Sequence, residues 1–102
     1  MRRFLIMALL IAWPLAGNAD EISGDWCSDG GANVRIEGDQ IRSPGGQMTS
    51  GLYSRHSFEF IVPDGEAEAG LTIFLQQLSE EQVRVTYEGR DPEIWNRCEM
   101  VS

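Results

Sequence analysis

Between residues 32 and 87 the apolar side chains of this 102-residue chain return at every second position. Ala32, Val34 and Ile36 alternate with Asn33, Arg35 and Glu37. Leu71, Ile73 and Leu75 alternate with Thr72, Phe74 and Gln76, and Val83, Val85 and Tyr87 with Arg84, Thr86 and Glu88. Successive strand side chains point to opposite faces, whereas helix side chains repeat every ~3.6 residues. A period of two therefore specifies strands with one apolar face and one wet face. No segment carries a helical stripe, a repeat or a low-complexity tract. The runs are punctuated by turn chemistry at Gly38-Asp39, Ser43-Pro44-Gly45-Gly46, the acidic stretch 63–70, Ser79-Glu80-Glu81 and Gly89-Arg90-Asp91-Pro92.

Gly38-Asp39 fits a two-residue primed turn. Folding there sets Ile36 opposite Ile41 and Glu37 opposite Gln40, so each face keeps its own character. It also sets Arg35 across from Arg42, a mild like-charge cost on the wet side. The longest alternation predicts a single strand over 52–62. Leu52, Ser54, His56, Phe58, Phe60 and Val62 would face inward, and Tyr53, Arg55, Ser57, Glu59 and Ile61 outward. Residues 94–101 supply the last strand. The sum is six to seven short antiparallel strands joined by hairpin-like connections, an up-and-down meander. Such a sheet buries one apolar face by curling on itself, which also removes its edges. The expected fold is all-β, a small antiparallel barrel or barrel-like meander, with a flattened sandwich as the rival.

Residues 1–19 are expected to lie outside that fold. A basic start, Met1-Arg2-Arg3, precedes an apolar run from Phe4 to Trp13. Pro14 then breaks the run, and Gly17-Asn18-Ala19 supplies small residues. This is the pattern of a secretory signal peptide cleaved after Ala19, and the run is too short to cross a bilayer. No small apolar stretch precedes Cys27, so the exported form is expected to be soluble, without a lipid anchor. Residues 20–102 then form one small β domain, of a size that is marginal unaided. Cys27 and Cys98 are the only cysteines. In an oxidising compartment an even pair reads as one disulfide, here joining the first strand to the last. Those are the two strands that meet when a meander closes. A metal site is the poorer alternative, because two distant cysteines and one histidine make a weak zinc set.

Acidic residues number 16 against eight basic ones, all arginine, and Arg2 and Arg3 fall in the leader. Nucleic acids and anionic membrane surfaces need a basic face, so neither is an expected partner. The chain has no Asn-x-Ser/Thr sequon, which favours a bacterial periplasm over a glycosylating secretory route.

Gly24-Asp25-Trp26 opens the first strand with a Gly-x-Trp. This resembles the opening motif of the calycins, the lipocalins and their small relatives among secreted protease inhibitors. The resemblance implies a barrel with the tryptophan across one end and an arginine of the last strand packed on its ring. Arg97 is the residue in place to do this for Trp26, as a cation over an indole face. The resemblance further implies inhibition of a secreted hydrolase, with the N-terminal trunk, here only residues 20–23, entering the cleft. The chain departs from the family in being about half the length of a lipocalin. It also lacks the further tryptophan and cysteine pattern of the short inhibitors.

Other constellations carry little chemistry. His56 is the only histidine, and Ser54 or Ser57 beside it lacks the strained turn and orienting third group of a catalytic triad. Asp64, Glu66 and Glu68, with Asp29 and Asp39 elsewhere, lack the spaced ligand run of a calcium loop. Asp29-Gly30-Gly31 and Pro44-Gly45-Gly46 lead into no helix and read as turns. Tyr53, Arg55 and Trp95, of the residue types that anchor interfaces, form a candidate outward contact patch. Trp26 and Arg97 are read as structural. The expected function is a soluble exported binding protein and not an enzyme, with no cofactor and no metal. Its partner would be a protein or small ligand of the envelope. Inhibition of an envelope hydrolase and carriage of a small ligand are its alternative forms.

Overall fold

The computed structural model describes residues 21–98. The signal-peptide reading of 1–19, and the last strand beyond residue 98, lie outside the described residues. Those described form one antiparallel sheet of nine strands: β1 (Gly24–Cys27), β2 (Asn33–Glu37), β3 (Gln40–Arg42), β4 (Met48–Ser50), β5 (Leu52–Ser54), β6 (Ser57–Ile61), β7 (Thr72–Gln77), β8 (Gln82–Tyr87) and β9 (Glu93–Arg97). Their order is β4-β3-β2-β1-β9-β8-β7-β6-β5. β1 and β9 pair, with Trp26 opposite Arg97, and the Cys27–Cys98 disulfide joins the same two ends across a sequence separation of 71. The ends of that order, β4 and β5, are separated only by Gly51. The meander is therefore a nearly closed barrel.

Alternation decides what is inside. Ile22, Trp26, Val34, Ile36, Ile41, Phe58, Phe60, Val62, Ile73, Leu75, Val83, Val85, Tyr87 and Trp95 make one buried core. The Gly38-Asp39 turn has the register its sequence predicts: Ile36 pairs Ile41, Glu37 pairs Gln40 and Arg35 pairs Arg42. Gly38 takes the left-handed φ of 62° that this turn requires. The expected Arg35–Arg42 repulsion is relieved by Asp25, which lies 2.7 Å from Arg35 and 3.8 Å from Arg42.

The expected strand count of six to seven is corrected to nine, for two physical reasons. First, 52–62 is a hairpin, with Ser54 opposite Ser57 across Arg55-His56. No glycine, proline, asparagine or aspartate marks that turn. Its neighbours hold it instead: the Arg55 carbonyl accepts from Ile22 N at 2.8 Å, and the His56 carbonyl from Gln77 N at 2.8 Å. A two-residue turn exchanges odd and even faces. Tyr53 thus joins Phe58 on the inner side, and Leu52 joins Glu59 on the outer. Second, Met48–Ser50 forms a strand without apolar alternation, because its pairing with Gln40–Arg42 supplies what its side chains do not.

Gly51 turns the corner between β4, which pairs with β3, and β5, which pairs with β6. A Cβ there would lie 2.4 Å from the Phe58 ring and 2.5 Å from the Glu59 carbonyl oxygen, so only glycine lets the chain approach so closely.

Candidate functional site

Three parts of the barrel have built polar geometry or unusual exposure: its floor, its upper rim and the flank between β4 and β6. The floor is where β1 begins and β9 ends. Residues 21–23 cross it, with Ile22 wholly buried and its carbonyl accepting from the Trp26 indole N–H at 2.8 Å. The Arg97 guanidinium carbon stands 3.9 Å from the centroid of the Trp26 ring. Arg97 donates to the carbonyls of Ser23 (2.7 Å), Glu21 (2.8 Å) and Glu80 (2.8 Å). Burial pulls its pKa below the usual guanidinium value, against the opposing pull of Glu81, Asp25 and Glu80, and it stays charged. Gly24 has φ 116°, and a Cβ there would meet the Arg97 guanidinium at 2.7 Å. The Gly-x-Trp spacing thus makes room for the arginine that covers the ring. Residues 21–23 of the trunk expected to enter a hydrolase cleft are built into this floor.

At the upper rim the loop of residues 62–71 reaches across to the β3–β4 turn. The Glu66 carboxylate accepts from the Ser43 hydroxyl, from Gly45 N at 2.8 Å and from the Gln47 amide at 3.1 Å. Burial pushes the Glu66 pKa up, but these hydrogen bonds outweigh it and hold the carboxyl below its ordinary range. Two residues on, Glu68 pairs with Arg90 at 2.5 Å, and Arg90 covers the Tyr87 ring at 5.0 Å. Burial, then Glu93 and Glu68, push the Tyr87 phenol up, and Arg90 opposes them. The acidic loop considered for calcium therefore spends Glu66 and Glu68 as latches to its two neighbours. Among the described residues no group of three or more His, Cys, Asp or Glu is gathered for one metal ion.

The flank is different. Above Gly51, β4 pairs with β3 alone and the end of β6 with β7 alone among the described residues. Between them lies an open groove of about 500 Å³, lined by Thr49, Ser50, Gly51, Leu52, Glu59, Phe60 and Ile61. Beside it, on the outer surface, Leu52 (71 % exposed), Ile61 (61 %), Met48 (55 %) and Phe74 (39 %) present apolar area to water. Glu59 lies in their midst, opposite Leu52 on one side and Phe74 on the other.

Of the residues expected in a contact patch, Tyr53 and Arg55 belong to the β5–β6 hairpin and Trp95 to β9. Tyr53 sits half-exposed at the floor, its ring edge-on to Phe58 at a centroid distance of 6.5 Å. Arg55 is exposed in the β5–β6 turn. Trp95 does face away from Cys98, but that face is the interior, where it is 2 % exposed, so its outward placement is corrected. His56 shares the turn with Arg55, and the Ser54 and Ser57 hydroxyls bond each other at 2.7 Å. The apolar flank was missed, although Ile61 and Phe74 fell on wet positions of their own alternations. No protein-family model, curated protein or solved structure matches the chain.

Proposed function

We propose that the chain is a soluble, exported, non-enzymatic binding protein whose ligand is another protein of the same compartment. One observation carries this reading: apolar Leu52, Ile61 and Phe74 are exposed together around Glu59 beside an open strand edge. A contiguous apolar patch rimmed by polar residues is a site for association. The disulfide supports an oxidising environment. Burial of Trp26, Trp95 and Phe58 in one packed core favours a protein ligand over a small molecule held inside.

Kinship with the calycins belongs to the same proposal. It is supported by Arg97 over the Trp26 ring and by the glycine that admits it. Hydrolase inhibition, which such kinship implies, would then run through the flank, since residues 21–23 are built into the floor.

Capture from an envelope extract tests the reading. Wild-type protein should retain a partner that the variant Leu52→Asp/Ile61→Asp loses while keeping its circular dichroism spectrum. Equal capture by both, or turnover of a panel of envelope substrates by the purified protein, would overturn it.

A further inference from the structure

We propose that the groove between β4 and the end of β6 receives an extended segment of a partner protein as an added strand. The segment carries basic residues alternating with apolar ones. This rests on the protein-binding reading above and names its mode.

The ladder geometry supplies the first argument. Ser43 N bonds Gln47 O at 2.8 Å, and Gly51 N bonds Asp39 O at 2.9 Å, one at each end of the β3–β4 ladder. Hydrogen-bonded pairs recur at every second residue of an antiparallel ladder, so between those two bonds Thr49 turns its peptide groups to Ile41. The N–H and C=O of Met48 and Ser50 then point the other way, into the groove. On the opposite wall, Gln77 N bonds His56 O at 2.8 Å and Val62 N bonds Leu71 O at 2.9 Å. By the same alternation Phe58 and Phe60 turn to β7, while Ser57, Glu59 and Ile61 turn to the β5 side. Ser57 and Glu59 meet Ser54 and Leu52 there, but Ile61 has passed the end of β5. Two edges with outward peptide groups thus face one groove. Directional backbone groups beside apolar side chains suit an extended segment, which satisfies both.

Charge selects the segment. Glu59 is the carboxylate of the groove lining and has no ion pair among the described residues. Arg42, across from Met48, is committed to Asp25 at 3.8 Å and Asn33 at 3.2 Å. The whole chain carries a net charge of −8, so a second copy is repelled where a basic segment is attracted.

The test uses isotope-labelled protein with its disulfide intact. The probe is a capped hexapeptide of alternating valine and lysine, compared with its valine–glutamate counterpart and with a version carrying proline at the centre. The lysine peptide should slow amide exchange at Met48, Ser50 and Ile61 by about tenfold or more at saturation. Glu59→Gln and Ile61→Glu should each weaken its binding by about tenfold. Equal binding of the glutamate or proline peptide would overturn the proposal. So would protection of the same amides that grows with protein concentration and no peptide, which would mark a second copy as the occupant. Absence of amide protection alongside retained patch-dependent capture would sink strand addition and leave the binding reading standing.

Discussion

The barrel is closed in two places, and the two closures are made differently. Between β1 and β9 a backbone ladder, a disulfide and the Arg97 guanidinium act together, and Arg97 holds the carbonyls of Glu21 and Ser23 at one end of the chain's described residues and that of Glu80 far along it. Between β4 and β6 there is no ladder. A single chain bends through at Gly51, and higher up the Glu66 carboxylate spans the gap to the β3–β4 turn. The first closure is covalent and always charged. The second rests on one glycine's missing methyl and one carboxylate's ionisation. On the binding reading proposed above, the covalently closed seam lies opposite the binding flank.

Replacing Cys27 and Cys98 by serine should have the largest effect. Loss of a cross-link spanning 71 residues costs about 4 kcal/mol in the chain-entropy view, read as a lowered denaturation midpoint. Arg97→Met keeps the apolar stem over Trp26 but leaves three carbonyls without their charged donor, and should cost about 3 kcal/mol. If either cost proved smaller than those at the flank, the ranking of the two closures would be reversed. Gly51→Ala pushes a methyl into Phe58 and Glu59 and should cost about 2 kcal/mol, while increasing amide exchange along β4 and β5 before elsewhere. Glu66→Gln should cost least, about 1 kcal/mol, since a neutral amide replaces a charge-assisted acceptor.

The last variant also has a pH signature. The Glu66 pKa is depressed in the folded protein from its ordinary value near 4.5. Its stabilisation is therefore complete above that value and is lost as pH falls through the lower folded one. Wild type should lose stability in that acid window more steeply than Glu66→Gln. Parallel profiles would assign the acid sensitivity to other carboxylates.

Much of the frame was legible because alternation and turn chemistry are local. The Gly38-Asp39 register and the inward Val34, Ile36, Ile41, Phe58, Phe60, Ile73, Leu75, Val83, Val85 and Tyr87 follow from spacing, and the Arg97–Trp26 stack from the resemblance of Gly24-Asp25-Trp26 to the calycin motif. What was hidden depends on contacts from elsewhere in the chain. The Arg55-His56 turn exists because Ile22 and Gln77 bond its carbonyls, and nothing between Ser54 and Ser57 announces it. That one turn reversed the faces of Leu52 and Tyr53 and so concealed the exposed flank. Trp95 was misplaced for a different reason: its parity relative to Cys98 was right, but the disulfide lies on the outside. The Glu66 latch is one acid among several in an irregular loop, and no pattern singles it out.

Because β1 pairs only with β2 and β9, the N-terminal strand waits half-partnered until the far end of the chain arrives. Residues 21–23 wait as well, since the guanidinium that fixes them belongs to residue 97. Assembly is thus a question of timing as much as of affinity. Residue 97 must be in place before residues 21–23 have their charged donor. Such late long-range pairing makes acquisition of the native state slow compared with a fold built from neighbours.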